Sequence, residues 1–419
     1  MSTRRPLYGW LTSEAISITG TRVSMIALPW FVLTTTGSPA KTGLVALAEM
    51  LPMVLLKVLG GPVIDRVGAR RVSISCDLLS VLVVGSVPLL YHSGHLSFPV
   101  FLLLVALAGA LRGPGDGAKH ALVPALVDRA GVPMERATGL GSTVERGASM
   151  LGAAFAGGLI AVIGPANALI VDAGSFLLSA VVLGWATRGM GAAVREEGAV
   201  EPAYRQQLAE GWRFLRGDRV LLGIAVMVAL TNFLDIAWAT VLVPVWASES
   251  GGGAAAIGLL FAVFSGASVV GAMCAAAWGE RLPRYRIYLL AFLLTGLPRF
   301  AVMAFDVPLW WVLAVSVAGG FASGFINPIL GAVMYERIPS PLVGRVTSLT
   351  TAMCFALMPL GGLLGGVLVS SWGLTAAMLA IGAAYFVVTM APAFDPRWRQ
   401  MDDRPATSDR ARENAPVRA

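Results

Sequence analysis

Charge is scarce in this sequence. Asp, Glu, Lys and Arg make up 13% of its 419 residues, about half the share in a soluble domain, which excludes a water-solvated shell around one core. Cysteine is nearly absent. Cys76, Cys274 and Cys354 are the only three, all in or beside apolar runs and without metal-ligand spacing, so they read as small packing residues and imply no disulfide framework. Histidine is as rare; His92 and His95, three apart in a polar junction, are a weak metal signal. His120 and Ser175 belong to no nucleophile constellation, and no phosphate-binding glycine loop occurs. No catalytic residue, metal or cofactor is assigned, and no enzyme is expected. The short alternating strands of a membrane barrel are missing too.

What fills the chain is apolar: 56% of the residues are hydrophobic and mean hydropathy is +0.75. Runs of about 20 apolar residues, enough to cross a bilayer as a helix, recur along the chain. Twelve spans are expected, at 9–35, 41–61, 72–91, 97–117, 138–163, 166–187, 219–247, 255–279, 286–305, 309–331, 346–369 and 373–393. The expected fold is therefore an all-α polytopic membrane protein. The start, MSTRRPLYGW, is basic, but the run behind it carries Glu14 and Arg22, so it reads as a retained first span and not a cleaved signal.

Charge also orients the chain. Of 31 Lys and Arg, 25 fall in the termini and even-numbered junctions, five lie inside spans (Arg22, Lys57, Arg112, Arg146, Arg299), and Lys41 alone sits on the other side. Positive charge stays inside, so both termini are expected in the cytoplasm. The net charge of +7 is thus a topology signal; no loop is long enough to build a basic surface for nucleic acid.

The longest junction divides the spans six and six. The organisation expected is a first bundle at 1–187, a linker at 188–218, a second bundle at 219–393 and a polar, disordered cytoplasmic tail at 394–419. In the linker, YRQQLAEGWRFLRGDR sets Tyr204, Leu208, Trp212 and Leu215 at helical spacing, which fits a helix lying on the membrane surface. A short solvated connector is the alternative.

Between spans 2 and 3 stands GGPVIDRVGARR, residues 60–71, and AAWGERLPRYR at 276–286 echoes it 215 positions later. Asp65-Arg66 answers Glu280-Arg281, and Gly68 answers Pro283. The same offset carries Pro29 onto Pro244. Arg136 with Gly157-Gly158 matches Arg345 with Gly365-Gly366 at offsets of 208–209. Four pairings in one order mark two homologous six-helix halves, an arrangement that builds transporters with a site at the interface between halves.

Gly61, Asp65, Arg66, Gly68, Arg70 and Arg71, in that spacing between spans 2 and 3, resemble the signature loop of the major facilitator superfamily. Ala69 departs from it where a third basic residue is usual. Four further stretches are similar to a subgroup that includes macrolide-efflux and enterobactin-exporter-like proteins: SITGTRVSMIALPWFVLTTTGSP, DAGSFLLSA, EGWRFLR and IPSPLVGRVTSL. The resemblance implies two six-helix bundles in the major facilitator fold and proton-driven export of a small organic molecule. It also implies a gating motif of Gly61, Asp65, Arg66, Gly68, Arg70, Arg71, Glu280 and Arg281 that locks one state and breaks as the halves rock. The alternative is a simple topology anchor, in which the arginines pair with acids or anionic headgroups.

A charge at mid-bilayer costs about 2.5–3.5 kcal/mol on insertion scales, so deep ionisable residues are functional candidates. Glu14, Asp77 and Asp306 lie near span ends, within reach of water. Asp235, midway through span 7, leads the candidates for proton coupling; Asn232 and Trp238 lie three residues to either side, on one helical flank. A fixed Asp–Arg pair is the alternative for Asp235. Glu49 is the second candidate, and Lys57, eight residues on and about 12 Å along the helix, is placed to share its cavity without pairing. Arg112 is the third, since the resemblance implies an arginine linked to proton transfer in span 4, although Gly115 and Asp116 replace the usual Gln and Gly. Arg22, Asn232, Trp238, Arg146 and Arg299 are the candidates for the substrate cavity; Glu145–Arg146 is also a possible local pair. In span 5, GASMLGAAFAGG keeps Gly157-Gly158 but has Ala153-Ala154 where antiporters of the superfamily carry Gly-Pro.

The expectation is a monomeric inner-membrane transporter whose partners are a small amphipathic molecule, protons and membrane lipids, with no nucleic acid. Export is placed first, proton-coupled uptake second, and a non-transporting receptor or scaffold last.

Overall fold

The computed structural model describes residues 4–190, 204–278, 281–305, 307–339 and 342–403. Twelve helices among them are long and apolar enough to cross a membrane: Arg5–Thr36, Pro39–Lys57, Ala69–His92, Phe98–Ala130, Arg136–Ile163, Pro165–Ala186, Arg219–Glu249, Gly253–Trp278, Arg284–Ala304, Leu309–Arg337, Arg345–Trp372 and Leu374–Phe394. They are spans 1 to 12 below, and they match the expected count. The main difference lies in span 4, which runs to Ala130 instead of ending near residue 117. Residues from Ala118 on were placed in the junction, yet helix continues through GDGAKH to Ala121, and Pro124 opens a second helical piece, Val123–Ala130.

The first six spans pack as one bundle. Span 1 lies against spans 5 and 6, span 2 against span 4, and span 3 against spans 4 and 6. The second six repeat the pattern, with span 8 on span 10, span 9 on spans 10 and 12, and span 7 on spans 11 and 12. The bundles meet chiefly through span 2 against span 11 and span 5 against span 8. Those contacts lie at the end of the molecule away from Arg4 and Asp403, the far end. Backbones touch there because glycines carry no side chain: Gly43 packs on Gly362 and Gly366, and Gly157 on Gly258. At the terminal end, which carries Arg4 and Asp403, a cavity opens instead (below).

Residues Tyr204–Gly217 form a helix seated on the start of span 11. Arg345 donates to Glu210, and Leu215 is buried with Leu221, Ile338 and Val346 while Trp212 stays exposed. The side chains of Tyr204 and Leu208, expected on the same face, lie outside the described residues.

Two expectations need correction. The tail is ordered as far as Asp403, because Trp398 and Met401 are apolar anchors. The segment Pro396–Asp402 folds back beneath the second bundle, where Trp398 meets Gly223 and stacks at 5.6 Å on Tyr288. Residues 404–419 lie outside the described residues. The signature loop at 60–71 is also largely helical. Span 2 runs into the helix Gly61–Val67, and only Gly68, at φ +93°, takes a conformation that a side chain would resist.

Candidate functional site

Most deep charges in the described bundles are paired across helices. In the first bundle Arg112 donates to Glu49 at 2.6 Å, with both side chains about nine-tenths buried. Glycine makes the pair reachable: a Cβ on Gly109 or Gly113 would strike the backbone of Glu49 or Met53, so spans 4 and 2 touch on both sides of Arg112. Glu49 is thus committed to Arg112, and of the two residues it is Lys57 that borders the cavity described below. The Lys57 ammonium lies 5.2 Å from the Phe355 ring, across the interface between the halves.

A second polar cluster was missed. Asp77, expected near water, is 4% exposed, and Lys119, counted among the inner-face charges, is 1% exposed. They pair at 3.2 Å. Lys119 also donates to Ser17 at 2.9 Å and Ser179 at 3.3 Å, Ser179 donates to Asp77 at 2.7 Å, and Ser13 meets Ser179 at 2.8 Å. Spans 1, 3, 4 and 6 are thus tied at one point. Nearby, Ser24 donates to Asp172, which is fully buried. The signal for Lys119 was the helix that continues past it; for Asp172 it was a carboxylate four residues before Phe176 in a purely apolar run.

In the second bundle Arg299 of span 9 donates to Asp235 of span 7. Three rings surround that guanidinium, Trp238 at 4.7 Å, Phe300 at 4.8 Å and Tyr385 at 4.9 Å, an arrangement that holds a cation by its faces. The pair is lopsided: the Arg299 side chain is 8% exposed and that of Asp235 38%. Beside them Pro244 withholds an amide from the helix ladder, and the preceding turn, Trp238–Leu242, widens to π geometry. Asn232, on the same flank in the sequence, donates instead to the Cys354 carbonyl of span 11 at 3.0 Å. Trp238 is buried against Arg299 and does not line an open cavity.

Two adjoining cavities open here, the first walled by the first half and the second between the halves. One, of 380 Å³, is bordered by Glu14, Arg22, Lys57, Asp116, His120 and Glu145. The other, of 280 Å³, lies between spans 5, 8 and 10 and is bordered by Glu145, Arg146, Ser268 and Asn327 among others. Arg22 crosses toward the second by donating to Ser149 at 2.8 Å. Of the predicted cavity residues, Arg22 and Arg146 reach open space; Asn232, Trp238 and Arg299 pack within the second half. Glu14 and Asp116, unlike the pairs above, face the cavity. Opposite charges around an amphipathic space can hold a polar organic molecule without a dedicated cage. Among the described residues, no group of three or more His, Cys, Asp or Glu is placed to hold a metal.

The signature loop sits at the terminal end. Arg70 donates to the Thr187 hydroxyl at 2.8 Å and the Gly184 carbonyl at 2.9 Å. Arg5 donates to the Trp185 carbonyl at 2.8 Å and Arg129 to that of Gly189 at 3.1 Å. Three cations thereby gather on the negative end of span 6. Asp65, Arg66, Arg71 and Arg281 are exposed, and Glu280 lies outside the described residues.

Comparison with known proteins follows this geometry. Residues 5–417 match the transmembrane secretion effector family. The chain is 30% identical over 414 residues to the multidrug efflux pump Tap of Mycobacterium tuberculosis, covering 96% of each chain. It is 21% identical over 380 residues to macrolide efflux protein A of Streptococcus pyogenes, covering 88% of this chain and 91% of that one. The nucleoside transporter NupG superposes with a TM-score of 0.76 at 13% identity, over 92% of this chain and 98% of that one, and shares the fold.

Proposed function

Because the chain belongs to the transmembrane secretion effector family of major facilitator transporters, we propose that it exports a small amphipathic organic molecule, of the drug or natural-product kind, in exchange for protons. The halves rock about the closed far end, alternately exposing the cavity bordered by Glu14, Arg22, Asp116 and Glu145 to either side of the membrane. The names of the efflux relatives support the direction. The distribution of Lys and Arg supports termini in the cytoplasm of an inner-membrane monomer.

The observation that carries proton exchange is the Asp235–Arg299 pair. Arg299 is fixed by three rings, whereas Asp235 is more than a third exposed at its side chain. A carboxylate that can leave a fixed cation, take a proton and return is the minimum machinery for coupling. Glu49–Arg112 is the matching pair of the first half. The gating motif supplies the lock at the terminal end.

The test is transport by purified protein in liposomes under an imposed pH gradient, beside a susceptibility panel in an efflux-deficient host with and without an uncoupler. Uncoupler-sensitive resistance and gradient-driven transport are expected. Transport indifferent to the gradient would remove proton coupling, and gradient-driven accumulation in the opposite sense would make the protein an uptake carrier.

A further inference from the structure

At the terminal end of the second bundle lies a basic groove of 720 Å³ that the transport reading leaves unused. It is walled by Arg213 of the linker helix, Arg219 at the start of span 7, Arg337 at the end of span 10 and Arg397 of the ordered tail, with Phe214 on its floor. Asp218 is its one acid, and that carboxylate is already engaged. It accepts Arg337 at 2.8 Å and the amides of Val220 and Leu221 at 3.0 and 3.1 Å, capping span 7.

Five other arginines at this end are satisfied by carbonyls or carboxylates of the protein. Arg5, Arg70 and Arg129 cap span 6, Arg284 is paired with Glu336, and Arg345 with Glu210. Among the described residues around the groove only Arg337 has a strong partner. Arg213 reaches no more than its own helix, at the Ala209 carbonyl 3.4 Å away, Arg397 stands 4.0 Å from an exposed Asp395, and Arg219 has no acidic partner among the described residues. Three exposed guanidiniums round one spent carboxylate need an anion with several acceptor oxygens.

We propose that this groove binds a phosphate-type anion, and that its source is the headgroup of an anionic phospholipid. Arg219 opens a membrane span, and Val226, seven residues on, stands about 10 Å farther along the same helical face and is exposed. A phosphodiester held at Arg219 therefore lays its acyl chains along apolar surface. Trp212, exposed on the neighbouring linker helix, is the residue type that sits at headgroup level. Because the groove joins the linker helix, span 7, span 10 and the tail, a bound lipid clamps the base of the second bundle.

The experiment uses the full-length protein purified in detergent, with thermal unfolding followed on adding phosphatidylglycerol, phosphatidylcholine or inorganic phosphate, and with co-purifying phospholipid measured by mass spectrometry. Phosphatidylglycerol should raise the melting temperature and co-purify. The variant Arg213→Gln/Arg219→Gln/Arg397→Gln should retain at least about tenfold less, since it removes three of the cations that would hold an anionic headgroup. Arg136→Gln/Arg188→Gln, which removes exposed cations of the first bundle, should retain it in full and reports on general charge loss. Its equal loss of lipid would overturn the site. So would unchanged retention by the triple variant, or equal stabilisation by phosphatidylcholine. Stabilisation by inorganic phosphate as great as by phosphatidylglycerol would overturn the lipid source in favour of a soluble phosphate.

Discussion

Gly157 of span 5 and Gly258 of span 8 lie so close that a Cβ on either would come 2.6 Å from the other's Cα. The internal repeat relates this contact to a second one. Gly258 answers Gly43 at the offset of 215, and the pair Gly365-Gly366 answers Gly157-Gly158 at 208; Gly43 and Gly366 also meet, a Cβ on Gly43 lying 3.2 Å from the Gly366 Cα. The far end is closed twice by the same device.

Bulk at either contact should hold the far end open. Gly258→Leu is expected to lower transport at least about tenfold, because two packed backbones cannot admit a branched side chain without separating. A cysteine in place of the buried Thr42, beside Gly43 and adding no bulk at the contact, should react in that background with a membrane-impermeant thiol reagent added from the far side, and should not in the parent. Equal labelling of both would mean that the contact does not gate.

The Asp235–Arg299 pair predicts an asymmetry. Asp235→Asn leaves a buried, caged cation, and Arg299→Gln leaves a carboxylate with access to water. Asp235→Asn is expected to abolish proton-driven efflux while leaving substrate binding and exchange of substrate for substrate. Trp238→Leu should weaken the cage by about 1–2 kcal/mol and lower the turnover more than the apparent affinity. Unchanged gradient-driven efflux in Asp235→Asn would take the residue out of the mechanism.

The Asp77–Lys119 cluster ties four spans, so its loss should be felt in stability first. Lys119→Met strands a buried carboxylate, at about 3–5 kcal/mol. Joining Asp77→Leu to it should recover most of that, because two apolar groups replace a desolvated pair. Thermal unfolding of the single and double variants in detergent checks this. Equal melting of both would show that Asp77 is satisfied by Ser179 alone.

These residues also mark what the sequence could and could not convey. Twelve spans were legible because bilayer crossing is a property of single apolar runs. The repeat was legible because two halves of one ancestor keep their punctuation, such as Pro29 and Pro244. Asp235, Glu49, Arg112 and Arg299 stood out as charges in apolar surroundings, yet their partners lie dozens of residues away, at distances fixed by helix packing. Glu49 was therefore set beside Lys57 when packing gives it to Arg112. Lys119 was hidden by GDGAKH, whose polarity imitates a junction although the helix continues. Gly43 and Gly258 are each one glycine among 48, and only the meeting of two halves gives them a role.

The signature loop yields the last prediction. In the first half Arg70 is committed to the end of span 6, and Gly68 alone breaks the helix. The motif is thereby built into its own bundle, and Asp65 is exposed on the helix Gly61–Val67. The second copy has Pro283 where the first has Gly68 and Tyr285 where the first has Arg70, and keeps Arg286 opposite Arg71. The first half should hold the stronger lock. Asp65→Asn is expected to slow cycling at least about fivefold, as one charge-assisted hydrogen bond of 1–2 kcal/mol would require, and Glu280→Gln to slow it less. Arg70→Gln should lower the melting temperature as well as activity, since it uncaps span 6. Rates of substrate exchange and gradient-driven efflux in liposomes, read beside thermal unfolding, separate the lock from the scaffold that carries it; equal slowing by Asp65→Asn and Glu280→Gln would mean that the two halves share the load.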